Sequence, residues 1–89
     1  MKRIVARYTK DGVFVDGRRV PEGFSPIELL VAALAYGVGA KSFDAGAEMY
    51  EIECFVDGDD ILCRGTCTGA ERRCLVFKIL SKALRYECT

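Results

Sequence analysis

The feature that most constrains this chain is a helical segment, residues 25–40, whose residues 29–36 are apolar on every side. Ser25, Pro26 and Glu28 predict its start, because Ser is a favoured N-cap, Pro is favoured at the first helical position, and Glu three residues after the cap completes a capping box. From Leu29 to Tyr36 the sequence reads Leu-Leu-Val-Ala-Ala-Leu-Ala-Tyr and leaves no polar face. We therefore expect this helix to be central in the fold or covered by a second subunit.

The N-terminal quarter of the chain predicts a β-hairpin. Its first strand alternates, with Ile4, Ala6 and Tyr8 on one face and Arg3, Val5 and Arg7 on the other. A turn at residues 9–12 leads into a second, β-branched and aromatic strand at residues 13–15, and residues 18–23 are expected to form a loop.

A second hairpin is predicted after the helix, with strands at residues 50–56 and 61–67. A two-residue loop at Gly58-Asp59 pairs Cys54 with Cys63 as non-hydrogen-bonded neighbours, where side chains come closest. A loop at Asp57-Gly58 would instead place Ile61 opposite Cys54. A disulfide is geometrically possible in the first register, but we expect thiols unless the cell interior is oxidising or very hot.

The C-terminal quarter predicts an amphipathic helix. Residues 68–71 form a second capping box, and the apolar residues behind it recur at helical spacing. These residues are Val76, Ile79, Leu80, Ala83 and Leu84. The resulting order ββαββα, with antiparallel hairpins around a central helix, predicts an α+β fold and one domain over residues 1–89.

Composition excludes several classes of function. Lys plus Arg and Asp plus Glu both number 13, and the dipeptides Arg18-Arg19 and Arg72-Arg73 are typical of turns and helix starts, so no nucleic-acid partner is expected. The apolar run from Leu29 to Ala40 is shorter than the roughly 20 residues that span a bilayer. Charges at residues 2–7 replace the apolar stretch of a signal peptide, which predicts a cytoplasmic location.

The five cysteines predict neither a secreted type of disulfide scaffold nor a metal site. Their number is odd and no secretion signal accompanies them. Zinc sites need closely paired ligands, often with His, whereas this chain has no His and only the loose spacing of Cys63 and Cys67. No metal and no cofactor are therefore expected.

Two glycines within the predicted helix, Gly37 and Gly39, require a reason. Each costs about 1 kcal/mol relative to Ala in a helix interior. One interpretation is that another part of the chain packs closely against the helix. The other is that a larger, functional residue once stood at one of these positions.

Two segments together resemble the OsmC/Ohr family of osmotically inducible and organic hydroperoxide resistance proteins. Residues 25–37, Ser-Pro-Ile-Glu-Leu-Leu-Val-Ala-Ala-Leu-Ala-Tyr-Gly, are similar to the family's Pro, acidic residue, Leu and Ala-rich run ending in Cys. Residues 74–80, Cys-Leu-Val-Phe-Lys-Ile-Leu, are similar to its Cys-Pro-Val-x-Lys-x-Leu helix start. The resemblance implies a trimmed OsmC-like fold that forms an intertwined homodimer.

The resemblance also implies that peroxide chemistry has been lost. The family's peroxidatic Cys falls on Gly37 and its resolving Cys on Cys74, so the thiolate that would attack the peroxide is missing. The acidic residue that orients the family's catalytic Arg falls on Ile27. Arg18 and Arg19 correspond to that Arg by location only, and their interpretation as turn residues is favoured.

Three functions remain open from the sequence. The leading hypothesis is a catalytically degenerate OsmC-like homodimer that binds a small apolar ligand or a protein partner in the former peroxide cleft. The alternative is a thiol-dependent redox or sulfur-transfer enzyme in which Cys74 acts with one of the other cysteines, Cys54, Cys63 or Cys67. The third is a structural or interaction module without a pocket.

Cys74 itself has two interpretations. On a helical wheel it falls with Lys78 and Ser81, away from the core stripe, and the basic residues Arg72 and Arg73 would favour its thiolate form. Free cysteines are more often buried and inert, and burial under the sheet or against a second subunit is favoured.

Overall fold

A computed structural model describes residues 1–19, 24–67 and 69–89 of the chain. The elements are β1 (Lys2–Thr9), β2 (Gly12–Val15), β3 (Arg18–Arg19), α1 (Pro26–Asp44), β4 (Tyr50–Asp57), β5 (Asp60–Gly65), a 3₁₀ turn (Ala70–Arg73), α2 (Leu75–Leu80) and β6 (Arg85–Cys88). The α+β class is confirmed. The order departs from ββαββα by the short strand β3, which replaces the start of the predicted loop, and by β6. The rest of that loop, residues 20–23, lies outside the described residues.

The strands form one six-stranded sheet in the order β3-β2-β1-β4-β5-β6. All described neighbours are antiparallel except β5 and β6, which run parallel. The alternation predicted for β1 is confirmed, because Ile4 and Ala6 are buried on the face that packs against α1. The core lies between this face and α1. Its fully buried side chains include Ile4, Val15, Ile52, Val31, Leu34 and Val38.

Helix α1 begins with the predicted capping box. The Ser25 hydroxyl accepts a hydrogen bond from the backbone N–H of Glu28, and the Glu28 carboxylate accepts one from the Ser25 N–H at 3.0 Å. The helix continues to Asp44, beyond the apolar run, so by length and composition alone it could cross a membrane. Core helices meet the same criterion, and the buried face of α1 packs against the sheet.

The predicted register of the second hairpin is confirmed, but its cysteines are not thiols. Cys54 pairs with Cys63 across the two-residue loop at Gly58-Asp59. Their Cα atoms lie 4.0 Å apart and their sulfurs form a disulfide. The disulfide that was geometrically possible is formed, and not the thiols expected in a reducing cell interior, because this pairing holds the two side chains within bonding reach of each other.

A second disulfide, Cys67–Cys88, was not predicted because Cys88 had been assigned to a helix. Helix α2 in fact ends at Leu80, and the chain turns back to form β6 beside β5. The apolar spacing of Leu80 and Leu84 fits a helix, but Tyr86 alternates with exposed neighbours as in a strand. The predicted N-cap Thr68 lies outside the described residues, and α2 begins after Cys74.

Gly39 is explained by close packing. A Cβ atom built at this position would lie 2.5 Å from both the Cβ and the Cγ of Tyr8 on β1. These are the inner atoms of the tyrosine side chain, which cannot move aside without moving the ring. The ring in turn packs edge-on against Phe43, with centroids 4.8 Å apart. Glycine thus lets α1 approach the sheet closely.

We expect Gly39→Ala to lower the free energy of unfolding by about 1–2 kcal/mol, because overpacking outweighs the gain of about 1 kcal/mol in helix propensity. Urea unfolding of the wild type and the variant measures the difference. In a Tyr8→Ala background, the same substitution should be neutral or stabilising. An equal loss in both backgrounds would rule out the clash with Tyr8.

Candidate functional site

The structure brings the two positions singled out by the sequence, Gly37 and Cys74, into direct contact. Gly37 lies in the middle of α1 and Cys74 immediately precedes α2. A Cβ atom built at Gly37 would lie 2.7 Å from the Cys74 sulfur and 3.4 Å from the Cβ of Val76. The absence of a side chain at residue 37 is thus what admits the sulfur to the surface of α1.

Cys74 is buried, with 3% of its surface exposed. Its sulfur caps α2 by accepting a hydrogen bond from the backbone N–H of Phe77 at 3.4 Å. The helical-wheel prediction that Cys74 points away from the core is wrong, because the residue precedes the helix and does not follow its periodicity. Among the described residues it is the free cysteine.

An apolar recess opens beside α1, where the helix meets Val13 of β2 and Val76 of α2. We call it the α1 recess; it has a volume of about 390 Å³ and is lined by Val13, Leu29, Ala32, Ala33, Tyr36, Gly37 and Val76. Gly37 forms part of its wall, whereas the Cys74 sulfur lies behind that wall and does not line the recess. Leu29 and Tyr36 at its edge are 40% and 60% exposed.

The two arginines considered from the sequence have different roles. Arg19 lies in β3 and not in the predicted turn, and it donates a hydrogen bond to the backbone carbonyl of Asp11 at 2.9 Å. Arg18 forms an ion pair with Glu28 at 3.1 Å and lies over the ring of Phe24. The hydrogen bonds from Ser25, together with the charges of Lys2 and Arg18, lower the pKa of the Glu28 carboxyl.

The acidic partner of Arg18 is therefore Glu28, one residue after Ile27. The family resemblance places the acidic position at Ile27. Ile27 is instead partly buried and packs against the core. The signal was present in the sequence, since Glu28 was already assigned to the capping box. The ion pair of Glu28 with Arg18 could not be predicted in the same way, because it depends on the position of β3 near the start of α1.

A hydrogen-bonded pair of tyrosines that could not be predicted from the sequence consists of Tyr50, which is buried, and Tyr86, which is partly buried. The hydroxyl groups of Tyr50 and Tyr86 are hydrogen-bonded at 2.8 Å, and Gly65 leaves space for them, because a Cβ atom there would lie 3.0 Å from the Tyr50 hydroxyl oxygen. Burial, and next the hydrogen bond with Tyr86, raises the pKa of Tyr50 well above its usual range; burial also raises that of Tyr86. Both phenols are therefore neutral near pH 7.

Other parts of the described chain offer less specific sites. A larger depression of about 910 Å³ lies along the first hairpin. It is lined by both acidic and basic residues, including Arg7, Lys10, Asp11 and Glu48. It contains neither Gly37 nor Cys74. Within residues 1–19, 24–67 and 69–89, no group of three or more His, Cys, Asp or Glu side chains is arranged to hold a metal ion.

The chemistry available at the α1 recess follows from its lining. Its walls are methyl groups, a leucine, valines and a tyrosine ring, with no thiol, carboxylate or amine among them. Such walls favour an uncharged apolar molecule through desolvation. Comparisons of the chain with protein-family models, with curated proteins and with solved structures find no match.

Proposed function

We propose that this protein is a catalytically degenerate OsmC-like domain whose α1 recess binds a small apolar ligand. The observation that carries the proposal is the contact between Gly37 and the Cys74 sulfur. In the family that the sequence resembles, these two positions hold the peroxidatic and the resolving cysteine, which must approach each other to form a disulfide. A separation of 2.7 Å between a residue-37 Cβ and the Cys74 sulfur fits that relationship.

The proposal includes the loss of peroxidase chemistry. Reduction of a peroxide by this route begins when a thiolate attacks the O–O bond and becomes a sulfenic acid. Glycine at position 37 has no atom that can do this. Cys74 is 3% exposed and lies behind the wall of the recess, so it is poorly placed to replace the missing nucleophile.

The ligand we propose is small, uncharged and apolar. The recess volume of about 390 Å³ is at the lower end of the range for small-molecule sites, which is roughly 300–1,000 Å³. It is lined by the small residues Ala32, Ala33 and Gly37 and by the larger, partly exposed side chains of Leu29 and Tyr36. A rigid hydrocarbon or aromatic ring could bury its surface there without leaving a polar group unpaired.

We further propose that the protein is a homodimer through the exposed face of α1. Leu29 and Tyr36 on α1 and Leu75 and Ile79 on α2 are large apolar side chains with 40–70% of their surface exposed. Burying them against a second copy would remove this surface from water and close the recess from outside. The alternative is that a different protein binds to the same face.

The alternative, a thiol-dependent enzyme using Cys74, has less support. Cys54, Cys63 and Cys67 were its possible second thiols, and all three are held in disulfides. Two disulfides also restrict the proposed cytoplasmic location to cells whose interior is oxidising or which live at very high temperature.

Binding of an apolar probe tests the ligand. N-phenyl-1-naphthylamine should show saturable fluorescence enhancement with the wild type. Ala33→Trp should weaken it at least about tenfold by filling the recess, since each 1.4 kcal/mol of lost binding is a factor of ten. Ala45→Trp, at the exposed end of α1, is the matched control and should bind like the wild type. Equal binding by both tryptophan variants would place the probe elsewhere.

Light scattering at micromolar concentration tests the dimer. The wild type should have twice the mass of one chain, and Leu29→Glu/Tyr36→Glu should be monomeric, because burying two carboxylates in an apolar interface is strongly unfavourable. Lys41→Glu changes the charge of an exposed residue on the same helix and should leave the dimer intact. A monomeric wild type would contradict the homodimer.

Restoring the nucleophile tests the proposed relationship to the family. With an organic hydroperoxide and a dithiol, the wild type and Cys74→Ser should show no turnover, and Gly37→Cys should gain it. The new cysteine should also form a disulfide with Cys74, because a Cβ lies about 3 Å from the partner sulfur in a disulfide, close to the 2.7 Å available here.

Gly37→Ser is the control, because its side chain has nearly the same size but no thiol. Robust wild-type turnover that disappears in Cys74→Ser would instead establish the thiol enzyme. If Gly37→Cys forms neither a disulfide nor an active enzyme, the two positions do not have the relationship that we propose.

A further inference from the structure

The two disulfides of this protein differ sharply in their exposure to solvent. Cys54 and Cys63 are both 0% exposed, within the core between α1 and the sheet. Cys88 is exposed, next to the last residue of the chain, and Cys67 is partly exposed. Thiol–disulfide exchange requires a thiolate to reach one of the two sulfurs. The two bridges should therefore differ in how fast they exchange with a thiol in solution.

We infer that Cys67–Cys88 is an exchange site for an external dithiol reductant, whereas Cys54–Cys63 is a permanent part of the core. One thiolate of the reductant attacks the sulfur of the exposed residue Cys88, the bond between the two sulfurs breaks, and Cys67 leaves as a thiolate that takes up a proton. The second thiol of the reductant then attacks its own sulfur in the mixed disulfide and releases Cys88. Two electrons pass to the protein, and the reductant becomes a disulfide.

The bridge encloses the segment that contains Cys74. Cys67 and Cys88 are 21 residues apart, and between them lie the 3₁₀ turn, Cys74, α2 and β6. Reduction therefore acts on this segment as a unit. The inference does not depend on which ligand occupies the α1 recess.

Apart from the bridge and the contacts of Tyr86, β6 is held weakly. It is a four-residue edge strand, paired only with β5 in the described sheet. Its ion pairs, Arg64–Glu87 and Arg85–Asp60, join side chains that are about half or more exposed, and such pairs contribute little. A strand of this kind opens more readily than the interior strands once its covalent bridge is broken.

Tyr86 connects β6 to Cys74. Its hydroxyl is hydrogen-bonded to Tyr50, and its ring packs against Phe77 of α2 with centroids 4.9 Å apart. The backbone N–H of Phe77 in turn donates to the Cys74 sulfur. When β6 loosens, Phe77 loses its packing partner and α2 loses support at the turn that covers Cys74. Reduction of Cys67–Cys88 should therefore expose the Cys74 thiol.

Selective reduction of the folded wild type tests the exchange site. The protein is incubated without denaturant in a series of dithiothreitol concentrations, quenched with iodoacetamide and mapped by peptide mass spectrometry. We expect Cys67 and Cys88 to be alkylated at concentrations that leave Cys54 and Cys63 bridged, so the core disulfide is an internal control. Reduction of both bridges together, or of Cys54–Cys63 first, would overturn the assignment.

The rate of Cys74 alkylation tests the connection to α2. We expect it to rise at least tenfold after selective reduction, and to the same extent in Cys67→Ser/Cys88→Ser without reductant. Arg85→Gln removes an ion pair of β6 but keeps the bridge, and should react at the wild-type rate. An unchanged Cys74 rate in the reduced wild type would show that the bridge does not control α2, and this measurement stands even where the double variant does not fold.

Discussion

Burial of α1 is the interaction on which the rest of this structure depends. Over residues 29–36 the helix is apolar around its whole circumference, but one sheet can cover only one side of it. On the covered side, Val31, Leu34 and Val38 are fully buried against the strands. The other side is left with exposed apolar side chains such as Leu29 and Tyr36. The two sides of α1 therefore differ: the side that faces the sheet is buried in the core, and the opposite side keeps exposed apolar side chains.

The shortness of the chain explains why covalent bridges accompany this core. Small domains bury a smaller fraction of their surface than large ones, and so have less hydrophobic stabilisation to set against the entropy of folding. In the chain-entropy model, loops of the size closed here contribute about 3 kcal/mol each. The two bridges reinforce different places: one joins two central strands inside the core, and the other fastens the last strand at the edge.

The parts of the fold that the sequence predicted correctly are those determined by neighbouring residues. Ser25 and Glu28 determined the start of α1, alternation determined the faces of β1, and the two-residue loop determined which cysteines face each other. The failure at β6 has an equally physical cause. Leu80 and Leu84 satisfy a helical period, and a strand whose partner is parallel and distant in the sequence leaves no turn signal to oppose that interpretation.

The same distinction applies to the candidate site. The contact between Gly37 and Cys74 could be anticipated only through the family resemblance, because nothing local connects a residue in α1 with one before α2. The ion pair between Arg18 and Glu28 depends on where β3 lies relative to the start of α1. The Tyr50–Tyr86 pair depends on β6, so a prediction that places Tyr86 in a helix cannot include it.

The Cys67–Cys88 bridge also determines how the chain responds to mechanical force. A load applied to the chain on the C-terminal side of Cys88 crosses the bridge to Cys67, so α2 and β6 carry almost none of it. The segment between the two cysteines would stay unextended while the remainder of the chain unravels. This withholds about 70 Å of contour length, at about 3.5 Å per residue for a separation of 21 residues. Reduction of the Cys67–Cys88 bridge would make that length available, so residues 67–88 can be extended by force only where this bridge is open.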